Sequence, residues 1–223
     1  MERFLVTHSL LSSWLYAISD DPYSDATNEK DPLADFLTVL RREPTETTEA
    51  MQNGIDFENL VTAIADGEET FGFIPVDPKE PSEGWVPMDI REHIWYNGAK
   101  QIADIVQNGV FQYVAKRDAF IGGRNVLLYG RLDALKAGHI YDIKFSRRYE
   151  VGKFYDSTQH PMYLNLVPEA LDFTYLVFNG SSVWQERYSR KDTMPIEPVV
   201  EHFFEWLRGQ GLDDLYRENW GAK

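Results

Sequence analysis

Between residues 111 and 145 the chain runs through three stretches of strand character separated by two glycine turns. Residues 111–120, 126–135 and 140–145 are rich in β-branched and aromatic side chains, and Gly122-Gly123 and Gly138 mark hairpin turns between them. Strands joined by so few residues pair antiparallel, so the fold must be built on a sheet that contains this meander.

The same segment carries residues that strand interiors avoid. In LYGRLDALKAGHIYDIKFS, residues 128–146, each of the last two strands has an aspartate in its middle, and a lysine follows the second. Side chains alternate along a strand, so Asp142 and Lys144 share one face, with Ile143 on the other. Asp133 likewise shares a face with Arg131 and Tyr129. A hairpin over Gly138 brings Asp133 and Asp142 together on one face. Carboxylates that close repel each other, and loss of water makes the repulsion worse. Lys144 can compensate, and a divalent cation can do so more strongly, because carboxylate oxygens suit Mg²⁺ or Mn²⁺. The bland alternative is that each aspartate ends its strand and pairs with a surface Lys or Arg.

Around the meander the hydrophobic spacing predicts helices. Residues 7–18 read as a helix with Thr7 or Ser9 at its start, with Phe4, Leu11, Leu15 and Ile18 along an apolar line. His8, Ser9, Ser12 and Ser13 interrupt that run and no small-residue cleavage site follows, so a helix is expected rather than a signal peptide. Residues 19–32 read as an acidic loop and 33–40 as a short helix. A helix is expected to start near Thr47 or Thr48, and a clearer helical stretch spans 55–65, with Gly54 preceding or interrupting it. Residues 66–87 read as an acidic insertion bearing Pro and Gly. Residues 88–108 return to helical spacing through Ile90, Ile94, Ile102 and Ile105, with Gly98 as a weak point. Beyond the meander, residues 150–166 read as mostly helical, bent or broken at Pro161. A second hairpin is expected over 173–179 and 183–189, then an amphipathic helix over 196–208. The whole is one α/β domain, α+β in its mixing, with a mostly antiparallel central sheet flanked by helices. Its first 110 residues form a mainly helical acidic elaboration, 111–190 the sheet core, and 191–223 a closing helix.

The net charge of −14 argues at first against nucleic acid as partner. The distribution changes that reading. Residues 1–110 hold 7 Lys/Arg and 21 Asp/Glu, whereas 111–223 hold 15 of each. Residues 116–153, around the aspartates, hold 9 basic and 4 acidic residues, including Arg147, Arg148 and Lys153, which are candidate phosphate contacts. The acidic half could instead dock a basic protein partner. The chain has no cysteine, which excludes disulfides, thiolate zinc sites and cysteine-held iron–sulfur clusters. It contains no P-loop and no apolar run long enough to span a bilayer, so no membrane association is expected and a cytoplasmic location is the default.

GRLDALKAGHIYDIK resembles the metal-binding core of the PD-(D/E)XK nuclease superfamily: an aspartate on one strand, then an acidic residue, any residue and lysine on the next. Three further elements resemble its RecB-like branch. They are SLLSSW at 9–14, Gly54-Ile-Asp-Phe-Glu58, and Gln159 with Tyr163 four residues later. The resemblance implies a restriction-endonuclease-like core with an N-terminal helical elaboration. It also implies metal-dependent hydrolysis of DNA phosphodiester bonds, as an exonuclease serving phage or bacterial recombination and repair. It casts Asp133, Asp142, the Ile143 backbone carbonyl and Glu58 as holders of Mg²⁺ or Mn²⁺, with Lys144 beside the attacking water. It sets Gln159 and Tyr163 beside the DNA strand. It leaves open a ring-forming oligomer, and a non-cleaving DNA-binding or protein-interaction module on the same fold.

Overall fold

The central sheet is organised by one long strand, β5 (Arg124–Lys136), which has neighbours on both edges. The computed structural model describes residues 3–19, 31–75 and 85–222. Along one edge of β5 runs β4 (Val110–Ile121), antiparallel, from Val110 opposite Leu135 to Ile121 opposite Arg124. The other edge is shared. β1 (Arg3–Thr7) lies parallel to residues 126–129, and β6 (His139–Phe145) lies antiparallel to residues 134–136. Residues 130–133 of β5 are claimed by neither, so the sheet forks there. β6 continues in parallel with β7 (Asp172–Phe178), β8 (Val183–Ser189) pairs antiparallel with β7, and the two-residue β9 (Gly221–Ala222) closes on β1.

Helices cover both faces. On one side Trp14 of α1 (His8–Ile18), Phe36 of α2 (Pro32–Leu40), Met162 of α5 (Gln159–Leu166), Phe203 of α6 (Glu197–Gly209) and Tyr216 of α7 (Asp213–Trp220) join a core with Leu128, Leu132, Tyr175 and Val177. On the other, Phe57 and Leu60 of α3 (Glu49–Asp66) and Ile102 of α4 (Tyr96–Val106) pack on Ala134, Ile143, Leu176 and Phe178. All seven residues of β7 are buried, as expected of a strand covered on both faces. The architecture is therefore mixed α/β, with a mixed seven-stranded sheet between helices.

Several elements differ from the sequence reading. The main sheet is mostly antiparallel, as expected, but it also has two parallel pairings, β1 with β5 and β6 with β7. Phe4, expected on a helix face, lies on β1, so the N-terminal part supplies a strand of the main sheet as well as helices. α3 passes unbroken through Gly54, with the Thr48 hydroxyl accepting from the Met51 N–H at 3.2 Å and Gly67 closing it at φ +80°. The expected 66–87 insertion contains a strand, β2 (Thr70–Pro75), and the first three residues of its antiparallel partner β3 (Trp85–Asp89); its residues 76–84, and 20–30 of the expected acidic loop, lie outside the described residues. The helix expected from 88 starts only at Tyr96. Asp89 takes the Arg91 N–H in a 3₁₀ turn over Ile90–Glu92, and Ile94 is left 85% exposed.

The helix expected over 150–166 is α5 alone. Pro161 falls in its first turn, where its missing N–H costs no intrahelical bond, so it does not break the helix. Residues 151–156 form turns instead, where the buried Glu186 carboxylate accepts the N–H groups of Gly152 and Phe154. α7 and β9 follow the expected closing helix. Among the described residues no helix is long and apolar enough to cross a membrane.

Gly98 is a contact point rather than a weak point. A Cβ there would run into the Phe178 ring, which is itself stacked on Phe57 with centroids 5.0 Å apart. Ala normally gains about 1 kcal/mol over Gly inside a helix. Here overpacking should reverse the sign, and Gly98→Ala should lose about 1–3 kcal/mol in urea unfolding. A gain in stability would show that α4 does not press on β7 as described.

Candidate functional site

Asp133 is the last residue of β5 before its ladder with β6 begins. The pairing starts at Ala134 opposite Tyr141, which places Asp133 across from Asp142 at the mouth of the fork. There the Asp133 carboxylate takes the place of a main-chain acceptor: its Oδ2 accepts the Ile143 N–H at 2.8 Å. Strand alternation turns Ile143 into the core under α3 and α4, and Asp142 towards α5. Asp142 is 1% exposed. Its Oδ1 accepts from Gln159 Nε2 at 2.5 Å. Its Oδ2 has no aligned hydrogen-bond donor, although the Lys144 ammonium stands 2.8 Å away as an ion pair.

Glu58 comes from α3. Its neighbour Phe57 anchors the helix by stacking on Phe178, and Glu58 is bonded to the side-chain amide of Gln112 on β4. Gln112 lies across from Asp133 and has φ +52°, a left-handed conformation seldom held by a residue inside a strand. Tyr163, one turn after Gln159 on α5, donates its hydroxyl to the Arg131 carbonyl at 3.0 Å. Its ring lies against Gly130, where a Cβ would be 2.5 Å from it, so glycine lets the helix press onto β5.

These groups line one cavity of about 550 Å³: Asp133, Asp142, Ile143, Lys144, Glu58, Gln159 and Tyr163. Seven of the ten residues singled out in the sequence therefore meet in one place. Arg147 and Arg148 line a second cavity of about 500 Å³ against the first turns of α3, and Phe145 borders both cavities. Lys153 is turned back on its own loop, bonded to Ser146 Oγ at 2.8 Å and to the Arg148 carbonyl. Sequence reasoning missed Gln112, whose signal is purely conformational, and His8, which borders the first cavity beside Tyr163.

The electrostatics follow from burial and crowding. Burial, then the charges of Asp142 and Glu58, raise the Asp133 carboxyl well above the usual aspartate range, against the opposing pull of Lys144 and the Ile143 N–H. Glu58 is raised by burial and Asp142, with Gln112 opposing. Burial alone would lower Lys144, but Asp142 and Asp133 outweigh it and hold the ammonium protonated. Burial, helped by Lys144, lowers His8 to about 4, so at neutral pH it is an uncharged imidazole.

The donor set suits a hard divalent cation: two carboxylates, a third nearby, and the backbone carbonyl of Ile143. The side chains as placed are not a closed cage. Among the described residues no three His, Asp or Glu side chains stand close enough to hold an ion, because Lys144 pairs with Asp142 and Gln112 engages Glu58. An ion entering would have to displace the ammonium from Asp142 Oδ2, a buried oxygen with no aligned hydrogen-bond donor.

No protein-family model matches the chain, and no curated protein matches it. Among solved structures it is similar to the one titled "Crystal structure of SSO0001", with 16% identity and a TM-score of 0.42 over 80% of this chain and 86% of that one.

The crowding of acids predicts a stability cost. Asp133→Asn keeps an oxygen for the Ile143 N–H and removes the repulsion, so it should raise the thermal midpoint by about 2–4 °C, the shift that about 1 kcal/mol gives in a chain of this size. The pH dependence has a definite sign. The folded chain holds the Asp133 proton more tightly than the unfolded chain, so this group adds stability as pH falls towards the ordinary carboxylate range, and Asp133→Asn should flatten that slope. A lowered midpoint at neutral pH would mean that the two carboxylates do not oppose each other.

Proposed function

We propose that this chain is a divalent-metal-dependent nuclease that hydrolyses phosphodiester bonds in DNA. The observation that carries the reading is the Asp133–Asp142 pair lining an open cavity, with Asp142 buried, Asp133 half-buried and Lys144 against Asp142 Oδ2. A purely structural Asp142–Lys144 ion pair has no need of a second carboxylate crowded beside it. The order of the sequence elements and the location of each on a helix or strand also support the resemblance to the RecB-like branch of the PD-(D/E)XK nucleases.

In this reading Asp133, Asp142 and the Ile143 carbonyl hold Mg²⁺ or Mn²⁺, with Glu58 completing the set. The bound ion supplies a lowered pKa for the attacking water and relief of charge on the phosphate. Gln159 fixes the carboxylate plane of Asp142 through Oδ1, and the Ile143 N–H does the same for Asp133. Lys144, which stands against Asp142 Oδ2, would neutralise charge on the phosphate once an ion took its place there. Tyr163 keeps α5 seated on β5 through Arg131 and so holds Gln159 at its distance. Arg147 and Arg148 take phosphates further along the strand.

The test is degradation of end-labelled DNA with Mg²⁺ or Mn²⁺. Asp142→Asn and Lys144→Ala should each lower the rate by about 10²–10³-fold or more, with the folded state retained. Cleavage that survives chelation of divalent ions, or that Asp142→Asn leaves intact, would sink the proposal. A second readout needs no turnover: Mn²⁺ should raise the thermal midpoint of the parent and leave that of Asp142→Asn unchanged.

A further inference from the structure

The catalytic cavity has one wall that phosphate chemistry does not explain. Met51 and Ile55, one turn apart on α3, both line it and are 53% and 47% exposed. Large apolar side chains on a helix are ordinarily turned into a core, and α3 does turn Phe57, Leu60 and Val61 inward. Met51 and Ile55 are instead held out over the cavity. Tyr129 of β5 also lines it, so an aromatic side chain joins the two aliphatic ones around the same space. Gly54, between Met51 and Ile55 in the chain, also borders the cavity, and a Cβ there would meet nothing within 4 Å, so the wall is open at that point.

Two constraints on a substrate follow. The carboxylates lie at the bottom of a cavity of about 550 Å³, within the range of small-ligand sites. With Asp142 1% exposed, a scissile phosphate has to enter that cavity to reach it. A single strand, one backbone wide, fits a cavity of that size better than a paired duplex does. An intact duplex would also offer Met51 and Ile55 only sugar and phosphate, leaving their apolar surface without a match. Unpaired bases present flat apolar faces, and proteins that hold single strands bind those faces on apolar and aromatic side chains beside a basic track for the backbone. The basic track is present. The cavity lined by Arg147 and Arg148 adjoins the first at Phe145, along the same helix.

We infer that the substrate is a single strand, with the bases next to the scissile phosphate lodged against Met51, Ile55 and Tyr129 and the neighbouring phosphate at Arg147 and Arg148. This rests on the nuclease reading above and specifies which form of DNA that site accepts.

The test separates the two. Binding of a fluorescent oligothymidine and of a blunt hairpin duplex is measured by anisotropy in Ca²⁺, alongside hydrolysis of bis(p-nitrophenyl) phosphate in Mn²⁺. The parent should bind the single strand at least about tenfold more tightly than the duplex. The Met51→Ser/Ile55→Ser double variant should lose about tenfold in single-strand affinity and keep its duplex affinity. Both positions are half exposed, so the fold should survive, and an unchanged thermal midpoint verifies it. Equal binding of duplex and single strand by the parent, or a folded double variant with undiminished single-strand affinity, overturns the inference. Failure of the parent to hydrolyse any diester overturns the nuclease reading instead, and the binding comparison still decides this one.

Discussion

Two aspartates on neighbouring strands face each other, one buried and one half-buried, and one lysine stands against their repulsion. Much of the architecture can be understood from what that arrangement requires. A continuous β5–β6 ladder would bury the pair between hydrogen-bonded strands. The fork prevents this: β5 leaves β6 just before Asp133, and the freed Ile143 N–H is taken by the Asp133 side chain itself. The opening left between β1 and β6 is where the cavity lies, and the start of α1, the first half of α3 and α5 border it. Charge is tolerated at this depth because each carboxylate is partly satisfied, by Lys144 and Gln159 on Asp142 and by Ile143 on Asp133.

A second buried acid governs the ground beside the cavity. Glu186 of β8 accepts from the Tyr149 and Tyr188 hydroxyls and from the Gly152 and Phe154 N–H groups. Burial alone would raise its pKa, but these four donors outweigh burial and hold it lowered. Glu186 therefore differs from Asp133 in kind: its hydrogen bonds are complete, so it is a structural anion. It ties down the turns that follow Arg147 and Arg148, and so sets the basic rim at a fixed distance from the acids. The contrast between a saturated carboxylate and an undersaturated pair distinguishes framework from candidate chemistry within one sheet.

The parts of this structure legible in the sequence are those governed by local rules. The three-strand meander was legible because Gly122-Gly123 and Gly138 punctuate a period-two pattern, and both glycine turns lie at positive φ. Asp133, Asp142 and Lys144 were legible because alternation alone places them on one face. What escaped depends on partners far along the chain. β1 is five residues long and becomes a strand because β5 offers it a parallel edge and β9, from the far end of the chain, closes on it. The turns at 151–156 carry helical spacing, but Glu186, some thirty residues on, accepts the N–H groups of Gly152 and Phe154. Pro161 looked disruptive because the start of α5 at Gln159 is not marked by a capping side chain. Gln112 gave no signal in sequence, since nothing in its type announces a left-handed residue inside a strand.

The central claim is that Lys144 occupies a place meant for a cation. Diffraction from crystals soaked in Mn²⁺, recorded at the manganese edge, tests it most directly. The anomalous map should show a peak between the Asp133 and Asp142 carboxylates, with the Lys144 ammonium moved away from Asp142 Oδ2. A map without a peak there, at Mn²⁺ concentrations that label other carboxylates on the surface, and with Lys144 still 2.8 Å from Oδ2, would contradict it.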